Sequence, residues 1–509
     1  MPLPKEPFLR NYRLVISTLS PIHIGCGEDY EPTHYVVKEN SLYPLLDLAA
    51  TGAFANHEGR QKLERAVAGK DSLVNLQKLY GQETDLPFTA DRYVPMTNAA
   101  AARHKNWITG KGQCVIERTI YDPISQNPIL PGTSIKGAIR TAILNHLIKT
   151  KNVHEFKNAK ELEKKILGGS FDTDPLRLLK IGDAHLADAR TCEPTRIMTR
   201  HGRHWKDGST ITVKDPSQNL VECISPFMVR SFVARMTVQH GWPYDIADIC
   251  NGFYGGIVFK KQIDMLEAMK TPEWTDLAQE IRHSMAAKSG FLLRVGKHDG
   301  AEFLTIEKYR KIKTKHGDKL PISTTVCGME SGGYAPFAWL FVEVVQEGEE
   351  PAANPLISTL HKLGSDISAK SKIRQQQFAE QKSESVKRHQ ATEVKRQTEA
   401  EQRRVEDEKR KIEEEKRLAE KKKLEDELAS MTPNRRQIEE LQKTIRDTPL
   451  PQPISGQLWQ DVGKLVKEAA TWLPEDKAEL ARVCRDELPA KLKSVDKKRL
   501  QALQDTLLT

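Results

Sequence analysis

Apolar positions follow two different rhythms along this chain. Up to about residue 350, runs of strand length and β-rich content alternate with stretches spaced as amphipathic helices. Tyr12–Leu19, Leu178–Ile181, Phe291–Val295 and Ala338–Val345 are of the first kind, Ile135–Ile148 and Asp245–Met269 of the second. The alternation predicts an α+β fold. Around Gly348–Asn354 the chain passes through Glu, Pro and Asn, as a linker would. From 366 to 429 Gly and Pro are absent and Lys, Arg, Glu and Gln dominate. Large apolar residues thin out there: from Phe378 through Val386, Val394, Val405, Ile412, Leu418 and Leu424 to Leu428 the spacings are 8, 8, 11, 7, 6, 6 and 4. So ragged a stripe predicts one long, solvated helix held by its own charges, such as the i,i+4 pair Glu413 and Arg417. A coiled coil with a partner is the alternative, and the thin seam argues against it. After residue 431, Trp459, Val462, Leu465, Val466, Ala469 and Trp472 return to helical spacing, and Leu480, Val483, Leu488, Leu492 and Leu500 continue it. A small helical bundle with its tryptophans in the core is expected.

Composition narrows this picture only a little. The 509 residues allow several cores, about three or four domains at usual domain size. With 78 Lys and Arg against 69 Asp and Glu the formal charge is +9, which permits a polyanionic partner without demanding one. No run of about 18 consecutive apolar residues is present and Met1–Arg10 lacks an apolar signal core, so neither a membrane span nor secretion is expected and the protein is placed in the cytoplasm. The seven cysteines are scattered and form no C-x-x-C pair. Small buried hydrophobes, not a disulfide framework or a zinc ribbon, are therefore predicted.

Candidate chemistry lies in three glycine-bearing segments. Residues 19–28, L-S-P-I-H-I-G-C-G-E, carry His23, Gly25 and Gly27 at the end of the first predicted strand, where bare backbone N–H groups can approach a phosphate. Residues 130–143, L-P-G-T-S-I-K-G-A-I-R-T-A-I, place Gly132 at a turn and let Thr133 or Ser134 cap a helix. Lys136 and Arg140 lie one turn apart beside that helix's apolar face, and Gly137 lies between them. A capped helix start with two cations suits phosphate, although a plain capped helix with exposed basic residues explains the same letters. Residues 292–300, L-L-R-V-G-K-H-D-G, run from a strand through Arg294, Gly296, Lys297 and Gly300 in a basic loop; an ordinary hairpin is the alternative. His201 and His204 show no third ligand nearby, so no metal and no cofactor is expected. His23, His34, His104 and His185 are the candidates for an acid–base ribonuclease, and for His23 a structural role is preferred.

In that order, these three segments resemble the RAMP superfamily of CRISPR proteins, and within it the fifth-Csm-protein family of type III-A systems. Residues 168–177 and the closing A-P-F-A-W-L-F-V-E-V add to the likeness, which covers about residues 8–346. Lys297-His298-Asp299 departs from the small or aromatic residues usual in that family's loop. The resemblance implies tandem ferredoxin-like (RRM-like) domains, at 1–190 and 191–350, followed by a long charged helix at 351–430 and a small helical domain at 431–509. It implies a non-catalytic subunit that binds CRISPR RNA by backbone and shape, caps the 3′ end of the guide, and supports guide maturation and complex assembly in antiviral defence. The implied partners are the RAMP backbone subunits and small subunits of a Csm complex, with a host maturation nuclease as a further candidate. The basic stretch of Arg196, Arg200, His201, Arg203, His204 and Lys206 becomes a candidate inserted loop or thumb touching RNA. The alternative function is a metal-independent RAMP endoribonuclease that processes the guide precursor. Residues 371–430 carry 17 Lys/Arg against 15 Asp/Glu, so the charged helix is expected to attract partners more than phosphate, and a cut at 366 to spare RNA binding.

Overall fold

The structure is a computed structural model that describes residues 7–45, 54, 56–69, 71–83, 85, 90, 92–109, 114–151, 156–170, 172–187, 193–206, 210–212, 219–268, 271–298, 300, 306, 309, 323–331, 333–493 and 497–508. The chain divides into two compact units, Met1–His389 and Gln390–Thr509. In the first unit the strands are β1 (Leu9–Thr18), β2 (Gly25–Tyr30), β3 (Tyr35–Lys38), β4 (Ser41–Pro44), β5 (Val94–Pro95), β6 (Ile116–Thr119), β7 (Leu179–Ile181) and β8 (His185–Leu186). They continue as β9 (Thr195–Lys206), β10 (Thr210–Thr212), β11 (Asn219–Ile224), β12 (Phe232–Gln239), β13 (Phe291–Arg294), β14 (Ser323–Gly328), β15 (Tyr334–Pro336) and β16 (Trp339–Gln346).

Two sheets carry the first unit. One has the order β13-β16-β1-β12-β7, with β8 also on β12; the other runs β15-β14-β9-β11-β6-β2, with β10 also on β9. A three-stranded sheet, β3-β4-β5, shares a core with the second sheet, Tyr35, Leu42 and Val94 packing with Ile116, Ile197 and Leu220. Burial explains the central strands. β13, Phe-Leu-Leu-Arg, is buried at all four positions, as expected of a strand covered on both faces. β12 alternates buried and less buried residues along its length, the signature of a half-covered strand. The helix Gly132–Lys151 packs Ile135, Ile139, Ala142, Ile143 and Leu147 into the largest core cluster, together with Leu14 and Ile16 of β1 and Phe341 of β16.

The α+β class expected from the alternation is present. The division at residue 190 does not separate the sheets, however. β1 and β7 lie before it and β12, β13 and β16 after it, yet all five share one sheet; β2 and β6 likewise join β9, β11, β14 and β15 in the other. Antiparallel pairing here joins segments more than 200 residues apart, such as Leu14 with Ala234 and with Val344. No local pattern carries that information.

Three further expectations change. The 196–206 stretch is not an inserted loop: Thr195–Lys206 is a strand pairing with β11 on one side and β14 on the other. The 348–354 segment is tied down, since Asn354 Oδ1 accepts from Leu356 N at 3.0 Å and from Ser284 Oγ at 2.8 Å. The charged helix, Pro355–Ser430, is one helix of 76 residues, but its beginning is not solvated. Leu356 and Leu360 join the main core, Phe378 packs 5.0 Å from the Tyr93 ring, and Arg374 reaches Glu193 at 2.8 Å. Ser371 and Ser385 are fully buried, so close approach there uses small polar residues that a search for apolar stripes passes over. A cut at 366 would strip this packed surface.

In the second unit, Ile438, Leu441, Ile445, Leu458, Val462 and Leu480 centre a core of short helices, with Trp459 and Trp472 packed against it. Thr432 caps Pro433–Asp447 by accepting from Arg435 N. No helix among the described residues is long and apolar enough to cross a membrane. Of the described cysteines, Cys114, Cys223, Cys250, Cys327 and Cys484 are buried, and Cys26 is partly exposed.

Candidate RNA-binding groove and histidine cluster

The helix Gly132–Lys151 starts where its sequence requires a close approach. A Cβ at Gly132 would lie 2.4 Å from the Ile181 carbonyl oxygen and 2.7 Å from Gly182. Glycine thus lets the helix start abut the strand end of β7. Neither Thr133 nor Ser134 is the cap: the Pro131 carbonyl accepts from Ser134 N and Ile135 N, and the Asp183 carboxylate accepts from Gly132 N at 2.7 Å. A distant carboxylate does the work that a local hydroxyl was expected to do.

Lys136 and Arg140 are engaged inside the chain. Lys136 Nζ donates to the Leu179 carbonyl at 2.7 Å, and burial lowers its ammonium pKa from the ordinary value. Arg140 pairs with Glu163 at 3.0 Å and Asp174 at 3.3 Å. Both side chains strap the helix to the 163–179 region. Arg196 is also committed, buried against Glu193 at 2.7 Å. Arg200 meets Glu117 at 3.1 Å.

The three glycine segments nevertheless converge. Gly25, Ser134, Gly137, Arg294, Gly296 and Lys297 line one open cavity of about 400 Å³. The loop after β13 is stitched to the segment before β2: Lys297 N donates to the His23 carbonyl at 2.8 Å. Gly296 has φ +116°, and a Cβ there would lie 2.4 Å from that same carbonyl, so only glycine fits. Gly27 and Gly300 also have positive φ, and Gly25–Tyr30 forms a strand with a shifted register, not a simple turn. Arg294 is buried beneath the groove, with its guanidinium 5.0 Å from the Trp339 ring and donating to the Phe337 carbonyl at 2.8 Å. Among the described residues, the groove therefore presents mostly backbone, small side chains and one exposed lysine.

Beside it lies a cluster only partly foreseen. His23 is buried; its Nδ1 meets the Glu222 carbonyl at 2.8 Å and its Nε2 lies 3.7 Å from Glu117 Oε2. His298, from the loop, meets the same oxygen at 3.1 Å. The His23 and His298 rings stack with centroids 5.5 Å apart. Burial pushes the His23 pKa down to about 4. Burial pushes the Glu117 carboxyl up, but the His298 hydrogen bond and the charges of His298, Arg200 and His23 prevail and hold it at about 2. Glu117 was missed because nothing in Ile-Glu-Arg-Thr marks it; only the β2–β6 pairing brings it to His23.

The other ribonuclease candidates do not assemble. His34 is exposed, His185 is 60% exposed near Asp122, and His104 is buried against the Tyr35 hydroxyl at 3.1 Å. His201 is hydrogen-bonded to Thr199 Oγ1 at 2.8 Å. Burial lowers the His104 pKa from 6.5 to about 4. Between those values the unfolded chain binds more protons than the folded one, so stability rises with pH and is lost on acidification. A loss of up to about 3 kcal/mol between pH 6.5 and 4 is expected from this group. Urea denaturation across that range should show a shallower pH slope for His104→Gln; an unchanged slope would refute the assignment.

A model of the RAMP superfamily matches residues 15–477. Two curated relatives are described as "CRISPR system Cms protein Csm5". The one from Methanocaldococcus jannaschii is 27% identical over 189 residues, 33% of this chain and 41% of its own length. That from Streptococcus thermophilus is 27% identical over 153 residues, 28% and 40% respectively. The chain thus spans about two-fifths of the length of the curated relatives it matches. Similar solved structures include a chain of a Csm–crRNA–target RNA ternary complex of a type III-A CRISPR-Cas system, at TM-score 0.39 and 16% identity, covering 65% of this chain and 100% of that one. Another is T. onnurineus Csm5, at TM-score 0.41 and 15% identity with the same coverage.

Proposed function

This chain belongs to the RAMP superfamily, and on that premise we propose that it is a non-catalytic guide-RNA-binding subunit of a type III-A Csm effector complex. Its place is the 3′ end of the CRISPR RNA, where it supports guide maturation and assembly beside RAMP backbone and small subunits, with a host maturation nuclease as a further partner. The observation that carries the reading is the meeting of three distant glycine segments in one groove. Bare backbone and small residues let a sugar-phosphate chain approach closely, and such contacts position RNA without reading bases. A guide of variable sequence needs that kind of recognition. The names of the two curated relatives support the choice of complex.

The test uses Gly137 and Lys297. A Cβ at Gly137 meets nothing within 4 Å, so Gly137→Glu fills the groove with bulk and negative charge without straining the helix. Removing glycine from a helix interior favours folding by about 0.5–1 kcal/mol, so the variant should melt no lower than the parent. Its affinity for guide RNA should fall at least about tenfold, equally for two unrelated sequences. Lys297→Ala should reduce the slope of log affinity against log salt by roughly one. Unchanged affinity and slope in both variants, with the fold intact, would reject the groove. Labelled repeat RNA should stay uncut with or without divalent metal; cleavage abolished by His298→Ala would favour the endoribonuclease reading instead.

A further inference from the structure

We propose that His23, Glu117 and His298 bind one divalent transition-metal ion of the zinc type, joining the 296–300 loop to the segment before β2 and to β6. One donor atom from each residue lies within 4.8 Å of the others. Zinc with ligands at about 2.0–2.2 Å in a tetrahedron separates its donors by roughly 3.3–3.6 Å. The observed 3.7 Å between His23 Nε2 and Glu117 Oε2, and 3.1 Å between His298 Nε2 and that oxygen, straddle this range. Small side-chain adjustments would admit an ion.

The surroundings prepare each ligand. The Glu222 carbonyl accepts from Nδ1 of His23 and so leaves the Nε2 lone pair facing Glu117 and His298. A ligand histidine is commonly oriented by such a partner on its other nitrogen. Arg200 takes Glu117 Oε1 at 3.1 Å, leaving Oε2 for the ion. Two imidazoles and one carboxylate favour zinc or a similar borderline ion over magnesium or calcium, which prefer all-oxygen sites. Among the described residues, Arg200 and Lys297 are the cations facing the cluster; Arg200 stays with Oε1, and Lys297 is exposed with its side chain over Gly25. Three protein ligands leave a fourth position for water or for an oxygen of a bound anion.

The experiment is titration of the chelator-treated, dialysed full chain with Zn²⁺ alone, followed by calorimetry, and with Co²⁺, followed by visible absorption. The parent should bind one ion per chain and show Co²⁺ ligand-field bands of a four- or five-coordinate site. His298→Ala and Glu117→Gln should each weaken Zn²⁺ by more than about 100-fold, beyond the roughly 10–100-fold that loss of an outer partner costs. His201→Ala, on β9 and hydrogen-bonded to Thr199, should leave binding unchanged. His23 is left intact because its burial makes a folding defect the trivial outcome. Zn²⁺ should also raise the melting temperature of the parent and not that of the two ligand variants, which separates loss of the site from loss of the fold. Absence of saturable binding in the parent, or affinity retained in both ligand variants, would overturn the proposal.

Discussion

Trp339→Ala should destabilise the Met1–His389 unit by about 3–5 kcal/mol. The residue is fully buried at the start of β16, its ring edge-to-face with Phe259 at 5.2 Å and with Tyr254 at 6.3 Å. Its indole Nε1 donates to Gln262 Oε1 at 2.5 Å, and its backbone N–H donates to Ser20 Oγ at 2.8 Å. Alanine would keep the backbone bond but leave a large cavity and a buried Gln262 without that donor. The Arg294 guanidinium would also lose the ring beside it, so the groove floor would loosen along with the core. Trp339→Phe keeps most of the packing and should cost only about 1–2 kcal/mol, chiefly the hydrogen bond. Urea denaturation with unchanged m-value measures both. Equal losses for the two variants, or less than about 1 kcal/mol for alanine, would show that the ring does not anchor this core.

The second large effect concerns a buried carboxylate. Glu222 on β11 has no solvent exposure; it accepts from Tyr121 Oη at 2.5 Å, from Thr119 N at 3.1 Å and from Tyr30 Oη at 3.2 Å. Arg92 completes the network by donating to the Tyr30 hydroxyl at 3.0 Å and lying 3.9 Å over the Tyr121 ring. Glu222→Ala removes the acceptor for three buried donors and the charge that balances Arg92. The expected loss is about 3–5 kcal/mol, the usual consequence of removing one member of a buried charged network. Glu222→Gln keeps the shape and an acceptor oxygen and should lose less. Because the Glu222 carbonyl also orients His23, both variants are best compared by stability and by Zn²⁺ affinity. A side-chain change should move the first more than the second. Stability of Glu222→Ala within about 1 kcal/mol of the parent would mean that water replaces the network at little cost.

These two sites also mark the limits of reading the chain one segment at a time. Trp339 stands in Ala338–Val345, a run whose strand character is evident, and its burial follows from its type. Glu222 lies between Val221 and Cys223, in a strand that carries no local sign of a buried ionic network. Its partners come from residues 30, 92, 119 and 121, which meet only through the second sheet.

What the sequence by itself determined is the class of structure and the position of the chemistry-bearing segments. Apolar periodicity, glycine turns and the charged run were enough for an α+β body, a long helix and a helical bundle, because these depend on near neighbours. The three glycine segments were recognisable for the same reason. Tertiary structure alone decided which of their residues face one another. Long-range pairing, antiparallel in the first sheet and parallel between β6 and β11 in the second, wove both sheets from either side of residue 190, and turned a basic stretch into β9. It set Asp183 at the helix start, occupied Lys136, Arg140 and Arg196 with internal partners, and brought Glu117 to His23 and His298. Long-range pairing is set by the fit of whole faces, and a cation's availability depends on whichever carboxylate or carbonyl the fold places within about 3 Å of it.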